Sequence, residues 1–177
     1  MRHDGVMDVR EVLIELYDRI PEHVREAVDG LTPEQLRAQP EDGSNPIGWL
    51  VWHLTRVQDD HVAEVIGEVQ VWTAGGWAPR FGLPDGVRDT GSGHDRTQVA
   101  TVVPEGPQVL VRYLEAVTDR TLAVLGGLDA DALDRVVDTS WDPPVTLGVR
   151  LVSVLTEGHA HVGQAAYVRG LFDARPR

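Results

Sequence analysis

Asn45-Pro46-Ile47-Gly48-Trp49-Leu50-Val51-Trp52-His53-Leu54 is the stretch whose reading decides the fold of this 177-residue chain. Asn45 is a good N-cap, and Pro46 suits the first helical position, where a missing N–H costs nothing. The helix that follows should run to about Val69. His53 has Trp49 one turn before it, Leu50 three residues before it and Val57 one turn after it. Its imidazole is therefore expected to face the core and not the solvent.

The rest of the chain has the same periodicity. Asp8 and Glu11 form a capping-box pattern. From there Val9, Val12, Leu13, Leu16, Tyr17, Ile20, Val24, Val28 and Leu31 make one apolar stripe at three-or-four spacing. The stripe passes through Pro21, which predicts a kink. A third helix is expected from Gly106-Pro107 to Gly126-Gly127, and a fourth from near Thr146 to about Phe172, with a frayed tail over Asp173–Arg177. A connection of about 35 residues, rich in Gly, Pro and Asp, separates the second and third helices, with a helical turn expected near Thr97–Val103. Trp72 and Trp77 in this loop are expected to close over a pocket. Gly30-Leu31-Thr32-Pro33-Glu34-Gln35-Leu36 is echoed by Gly127-Leu128-Asp129-Ala130-Asp131-Ala132-Leu133, each after a long helix. No segment reads as a strand. The expected class is all-α: one four-helix bundle domain over residues 1–177.

Composition narrows the function classes. A net charge of -12 argues against a nucleic-acid surface and against docking on anionic lipid. The absence of Cys excludes disulfides, thiolate ligands and a Cys nucleophile. Met1-Arg2-His3-Asp4 leads into an amphipathic segment and not an apolar signal core, and no apolar run approaches the roughly 18–20 residues of a membrane span. A cytoplasmic location is the expectation. There is no Gly-x-Ser-x-Gly, phosphate-cradling loop or dinucleotide fingerprint. Gly75, Gly76, Gly91 and Gly93 follow no phosphate-loop spacing and read as turns.

A second fragment, Glu157-Gly158-His159-Ala160-His161-Val162-Gly163-Gln164, lies on the expected fourth helix. Glu157 and His161 are four apart and share a face. With His53 they offer two imidazoles and a carboxylate, a set suited to a catalytic divalent metal with positions left for water or substrate. The plainer alternative is a surface Glu–His pair worth a few tenths of a kcal/mol and a hydrogen-bonded core histidine. His159, about 200° around the helix from His161, does not fit the same site. Gln164, three beyond His161, is a candidate to orient a ligand or a water.

Four further residues are candidates for catalysis or cofactor contact. Asp60 lies two turns beyond His53 and is a candidate for proton movement, although a salt bridge to Arg56 at i,i+4 is the favoured reading. His61, eight beyond His53, is a candidate for support of the site and for proton movement. In the long loop, Arg80 and His94 are candidates for contact with a bound cofactor or substrate, Arg80 reading equally well as a solvated residue. Trp49 and Trp52 read as core anchors, and His3 and His23 as surface residues.

The chain resembles the DinB/YfiT-like superfamily of four-helix metalloproteins. The likeness rests on Gly48-Trp49-Leu50 with His53-Leu54, on His161 with Gly163-Gln164, and on the long connection between the second and third helices. In that superfamily a His of the second helix and two residues four apart on the last helix converge on one metal, usually zinc or nickel. The common set is three His, so Glu157 is a departure. In having His, Glu and His the chain is similar to the mycothiol-dependent maleylpyruvate isomerase domain. The resemblance implies a metal at His53, Glu157 and His161. It also implies activation of a low-molecular-weight thiol, such as mycothiol, for isomerisation or S-transfer to a small electrophile. The alternative is a non-catalytic metal-binding helical module, stress-related or regulatory, with homodimer formation possible under either reading.

Overall fold

Asp8 opens the first helix by the expected exchange: its side chain accepts from the Glu11 N–H at 2.8 Å, and its own N–H donates to the Glu11 carboxylate at 2.9 Å. The computed structural model describes residues 7–86 and 88–174, with all of their side chains except that of Ala130. His3 and the tail beyond residue 174 lie outside the described residues. Helix α1 (Val9–Asp18) and α2 (Ile20–Val28) are broken at Arg19, where Pro21 removes a donor and forces the expected kink. Short helix α3 (Pro33–Arg37) follows, then α4 (Ile47–Ile66), α5 (Val71–Ala74), α6 (Arg96–Thr101), α7 (Pro107–Gly126) and α8 (Leu147–Asp173). The kinked α1–α2 pair, α4, α7 and α8 form the four-helix bundle, with α4 against α8 and α7, and α2 against α8. Among the described residues no helix is long and apolar enough to cross a membrane.

Three details depart from expectation. The cap of α4 is Pro46 and not Asn45, with no side-chain cap, and the helix ends at Ile66 and not near Val69. The stop is Gly67, whose φ of +70° suits glycine and lets its N–H reach back to the last turn. A two-stranded antiparallel ribbon, β1 (Val136–Asp138) with β2 (Val145–Thr146), precedes α8. Strands of three and two residues carry no readable alternation, so only the fold could pair them. Both echoed segments become short helical turns: α3, and a 3-10 turn over Ala130–Asp134.

The long connection is packed, not open. Trp72 is 2% exposed, with ring centroids 6.3 Å from Trp52, 5.3 Å from Phe81 and 5.2 Å from Tyr113. It is a core residue and does not close a pocket as expected. Trp77 rests on Tyr113 at 5.3 Å. Trp49 and Trp52 are buried, as core anchors should be. Burying side chains of this size contributes about 2–3 kcal/mol each. The loop thus covers α4, which explains why almost every side chain from Ile47 to Asp59 is buried, including His53, Arg56 and Asp59. Gly158 packs against Ile20, a close approach of α8 to α2.

Candidate metal centre

The packing of α4 on α8 carries His53 to Glu157 and His161. The His53 Nε2 lies 3.0 Å from the Glu157 Oε1, and the His161 Nε2 lies 3.7 Å from the same oxygen. One ligand atom from each of the three residues falls within a 4.8 Å set, and the imidazole centroids are 5.0 Å apart. Donors held about 2.0–2.2 Å from a tetrahedral zinc stand roughly 3.3–3.6 Å from one another, a span bracketed by the two distances to the Glu157 Oε1.

The hydrogen bonds on the far side of each ring decide what the near side offers. The His53 Nδ1 meets the backbone carbonyl of Thr90, which can only accept, so Nδ1 carries the hydrogen and Nε2 a lone pair. The His161 Nδ1 meets the Gln164 side-chain oxygen at 2.8 Å, with the same consequence. Two lone pairs and a carboxylate oxygen therefore face one point. That arrangement is repulsive unless a cation, or protons taken up by the rings, lies between them. Carbonyl partners on the outer nitrogens are the usual means by which metal-binding histidines are oriented. The side chains are 6% exposed at His53, 17% at His161 and 39% at Glu157, so the cluster is closed toward the core and open to solvent at Glu157. An open side with three protein donors is the form of a catalytic centre, whereas structural zinc sites are fully ligated.

A strap of the long loop holds His53. Asp89, Thr90 and Gly91 cross the ring, and a Cβ on Gly91 would stand 2.7 Å from Trp52 and 2.9 Å from the His53 Nδ1. With φ at +92°, this position requires glycine on both counts. Trp49 stacks on the imidazole, with ring centroids 4.6 Å apart and planes 16° from parallel. Its indole N–H donates to the His94 Nδ1 at 3.2 Å, and the His94 Nε2 bonds Asp89. Burial opposes ionisation of Asp89. Hydrogen bonds from His94 and the Gly91 N–H, with the charge of Arg56, outweigh it and hold the carboxyl below its ordinary range. The role of Gly91 has no mark in the sequence, where it reads as a turn.

The other expected site residues lie apart from this cluster. Asp60 accepts from the Gln70 side chain, and the favoured salt bridge to Arg56 is made by Asp59 instead, at 3.4 Å. His61 meets Arg150 at 3.2 Å and Glu64 at 3.7 Å. Asp60 and His61 stand about 10–12 Å beyond His53 along the helix axis, too far to serve a reaction there. Arg80 pairs with Glu105 at 3.1 Å and lies over Trp77, with its charge already engaged. His94 is beside the site, but both its nitrogens are used, so it is a strut of the wall and not a contact for thiol. His159 bonds the Leu16 carbonyl at 3.2 Å, away from the cluster, as its helical position predicts.

A groove of about 710 Å³ follows the seam between residues 160–171 of α8 and the segment before α4, with Gln164 in its wall. Ser44, Asn45, Leu50, Tyr167 and Leu171 line it, and Glu41 is its one charged lining residue among those described.

A four-helix bundle with a three-donor cluster between its second and last long helices is the arrangement of the DinB/YfiT-like class, here with Glu157 in place of one histidine. Within that class the chain belongs to the mycothiol-S-transferase family, whose model matches residues 12–174. A crystal structure of a conserved protein from Enterococcus faecalis is 31% identical, with a TM-score of 0.86 over 96% of this chain and 100% of that one. YfiT from Bacillus subtilis, described as a probable metal-dependent hydrolase with an unusual four-helix bundle topology, has 16% identity. Its TM-score is 0.63 over 98% of this chain and 93% of that one, a likeness of fold alone. No curated protein matches the chain.

Proposed function

We propose that the protein is a metal-dependent S-transferase that joins a low-molecular-weight thiol to a small electrophile, with His53, Glu157 and His161 as the ligands of one divalent ion, zinc or nickel. The observation that carries the reading is the convergence of two imidazole lone pairs on one carboxylate oxygen, each ring oriented by a carbonyl on its outer nitrogen. Membership of the mycothiol-S-transferase family supports the thiol half of the reading. When bound, the ion would lower the pKa of an added thiol and make it nucleophilic at neutral pH.

The chain's own residues supply the remainder. Thr90 and Gln164 hold the two imidazoles in the lone-pair-inward form. Trp49 and Gly91 close the core side of the site against water. The exposed side of Glu157 is the way in for both reactants. The groove that Gln164 helps to line gives the body of the thiol a place to lie, with hydrogen-bonding groups on Ser44, Asn45 and Gln164 and apolar lining from Leu50 and Leu171. Glu41 as the one charge among the described lining residues favours an uncharged polar thiol, such as a thiol-bearing sugar, over one carrying carboxylates.

Cobalt substitution tests the reading. The chain has no Cys, so any thiolate-to-cobalt charge-transfer band must come from added thiol. The band should appear with the preferred thiol and be absent in His53→Ala, and turnover of a model electrophile should follow the same order of thiols. If no thiol perturbs the cobalt spectrum and none supports turnover, the enzymatic reading fails.

A further inference from the structure

Arg56 is fully buried, and none of its bonds goes to the metal cluster. A buried guanidinium is costly unless all of its donors are matched, and here they are. NH1 donates to Asp59 at 3.4 Å and to the Tyr113 hydroxyl at 3.2 Å. NH2 donates to the Gln70 side chain at 3.0 Å and to the Arg88 carbonyl at 3.0 Å, and Nε donates to the Asp89 carbonyl at 3.2 Å. The next carbonyl along, that of Thr90, is the one that accepts from the His53 Nδ1. Asp59 completes the hub: it accepts from the Val71 and Trp72 N–H groups at 2.8 and 2.7 Å and from the Tyr113 hydroxyl at 2.8 Å. Burial holds the Tyr113 phenol well above its ordinary pKa, so it stays a donor.

We infer that Arg56 is a positioning residue for the metal centre: its fork grips two successive backbone carbonyls of the loop, and thereby sets the third on His53. Arg56 lies one turn beyond His53 on the same rigid helix, so helix, guanidinium, strap and imidazole form a closed ring of contacts. The Arg88 and Asp89 carbonyls are anchored to the helix that carries His53, and the Thr90 carbonyl cannot drift without breaking them. A planar fork is needed for this; a lysine would keep a charge for Asp59 but could not hold both carbonyls and Gln70. The inference rests on the metal reading above for its effect on binding, but its effect on the His53 ring stands without metal.

Arg56→Lys in the full chain is the test, read by zinc titration and by 15N NMR of the His53 ring after chelation. Thr121→Val serves as control, because it breaks the buried Gln58–Thr121 bond of 2.8 Å between α4 and α7 and does not touch the strap. Zinc binding by Arg56→Lys should weaken about 10–100-fold, the usual cost of losing the support behind a ligand. Its His53 ring should lose the single Nδ1–H form seen in the parent. Thr121→Val should lower the melting temperature while leaving both readouts at the parent value. An unchanged ring in Arg56→Lys overturns the inference, whether or not zinc is lost, and so does an equal zinc loss in the control. If Arg56→Lys does not fold, Gln70→Met takes its place: it removes the acceptor that steadies NH2 beside the Arg88 carbonyl, so the His53 ring should lose part of its single Nδ1–H form, and an unchanged ring overturns the inference. A parent that binds no zinc defeats the metal reading, and the ring measurement then judges Arg56 by itself.

Discussion

The His53 Nε2 and the Glu157 Oε1 stand 3.0 Å apart, one on α4 and one on α8, and the Thr90 carbonyl leaves the nitrogen with a lone pair instead of a hydrogen to offer the carboxylate. Two acceptors at that separation specify a positive charge between them.

His161→Ala should lose most zinc or nickel affinity, at least about a hundredfold, since one of three protein donors goes. His159→Ala should retain it, because His159 bonds the Leu16 carbonyl on another face of α8. Glu157→Ala should weaken binding sharply, whereas Glu157→His should keep it by placing an imidazole at the same helical position. Titration of each variant with zinc against a chelating dye checks the series; a Glu157→Ala chain binding as tightly as the parent rejects the ligand set.

Gly91→Ala should cost about 1–3 kcal/mol of stability from the left-handed backbone alone. It should cost metal affinity as well, because the added Cβ displaces the His53 ring or the strap. Gly93→Ala is the comparison: it has a similar φ of +76° but open space around its Cβ, so it should lose stability and keep its metal. Thermal melts paired with zinc titrations separate the two effects.

The strap should loosen in acid. Asp89 has a folded-state pKa below that of the unfolded chain. Its contribution is therefore fully present above the ordinary aspartate value of about 3.9 and is lost as pH falls through the lower folded value. The stability advantage of the parent over Asp89→Asn should be constant from neutral pH down to about 4 and shrink below it. Urea unfolding of both chains across that range reads the difference; an advantage that grows toward acid contradicts the sign.

Glu41→Arg should change thiol preference without changing metal content. The groove would then carry a cation where it now carries its one described anion. The KM for a carboxylate-bearing thiol such as glutathione should fall severalfold relative to that for an uncharged thiol, with kcat little moved. Equal KM values in parent and variant would show that the thiol lies elsewhere.

The bundle could be read from the chain because its signals are local. The Asp8–Glu11 box, the apolar stripe through Val28, the Pro21 kink, and the Gly-Pro and Gly-Gly ends of α7 act within a turn or two of where they occur. Glu157 and His161 share a face for the same reason, and His53 among Trp49, Leu50 and Val57 had to point inward. Local sequence also determined that any metal here is held by nitrogen and oxygen, there being no Cys.

Only the tertiary structure decided the contacts between distant segments. The pairing of His53 with Glu157 spans 104 residues, and the Thr90 and Gln164 carbonyls that orient the rings are ordinary groups until the fold aims them. Arg56 reads as a helix-surface partner for Asp60. Once the long loop covers α4 its charge is buried, and it must find Asp59, Tyr113, Gln70 and two backbone carbonyls instead. The same covering took Trp72 into the core and engaged both nitrogens of His94. Helix periodicity is a property of neighbours in the chain; which polar groups must satisfy one another is set by what lies on top of them.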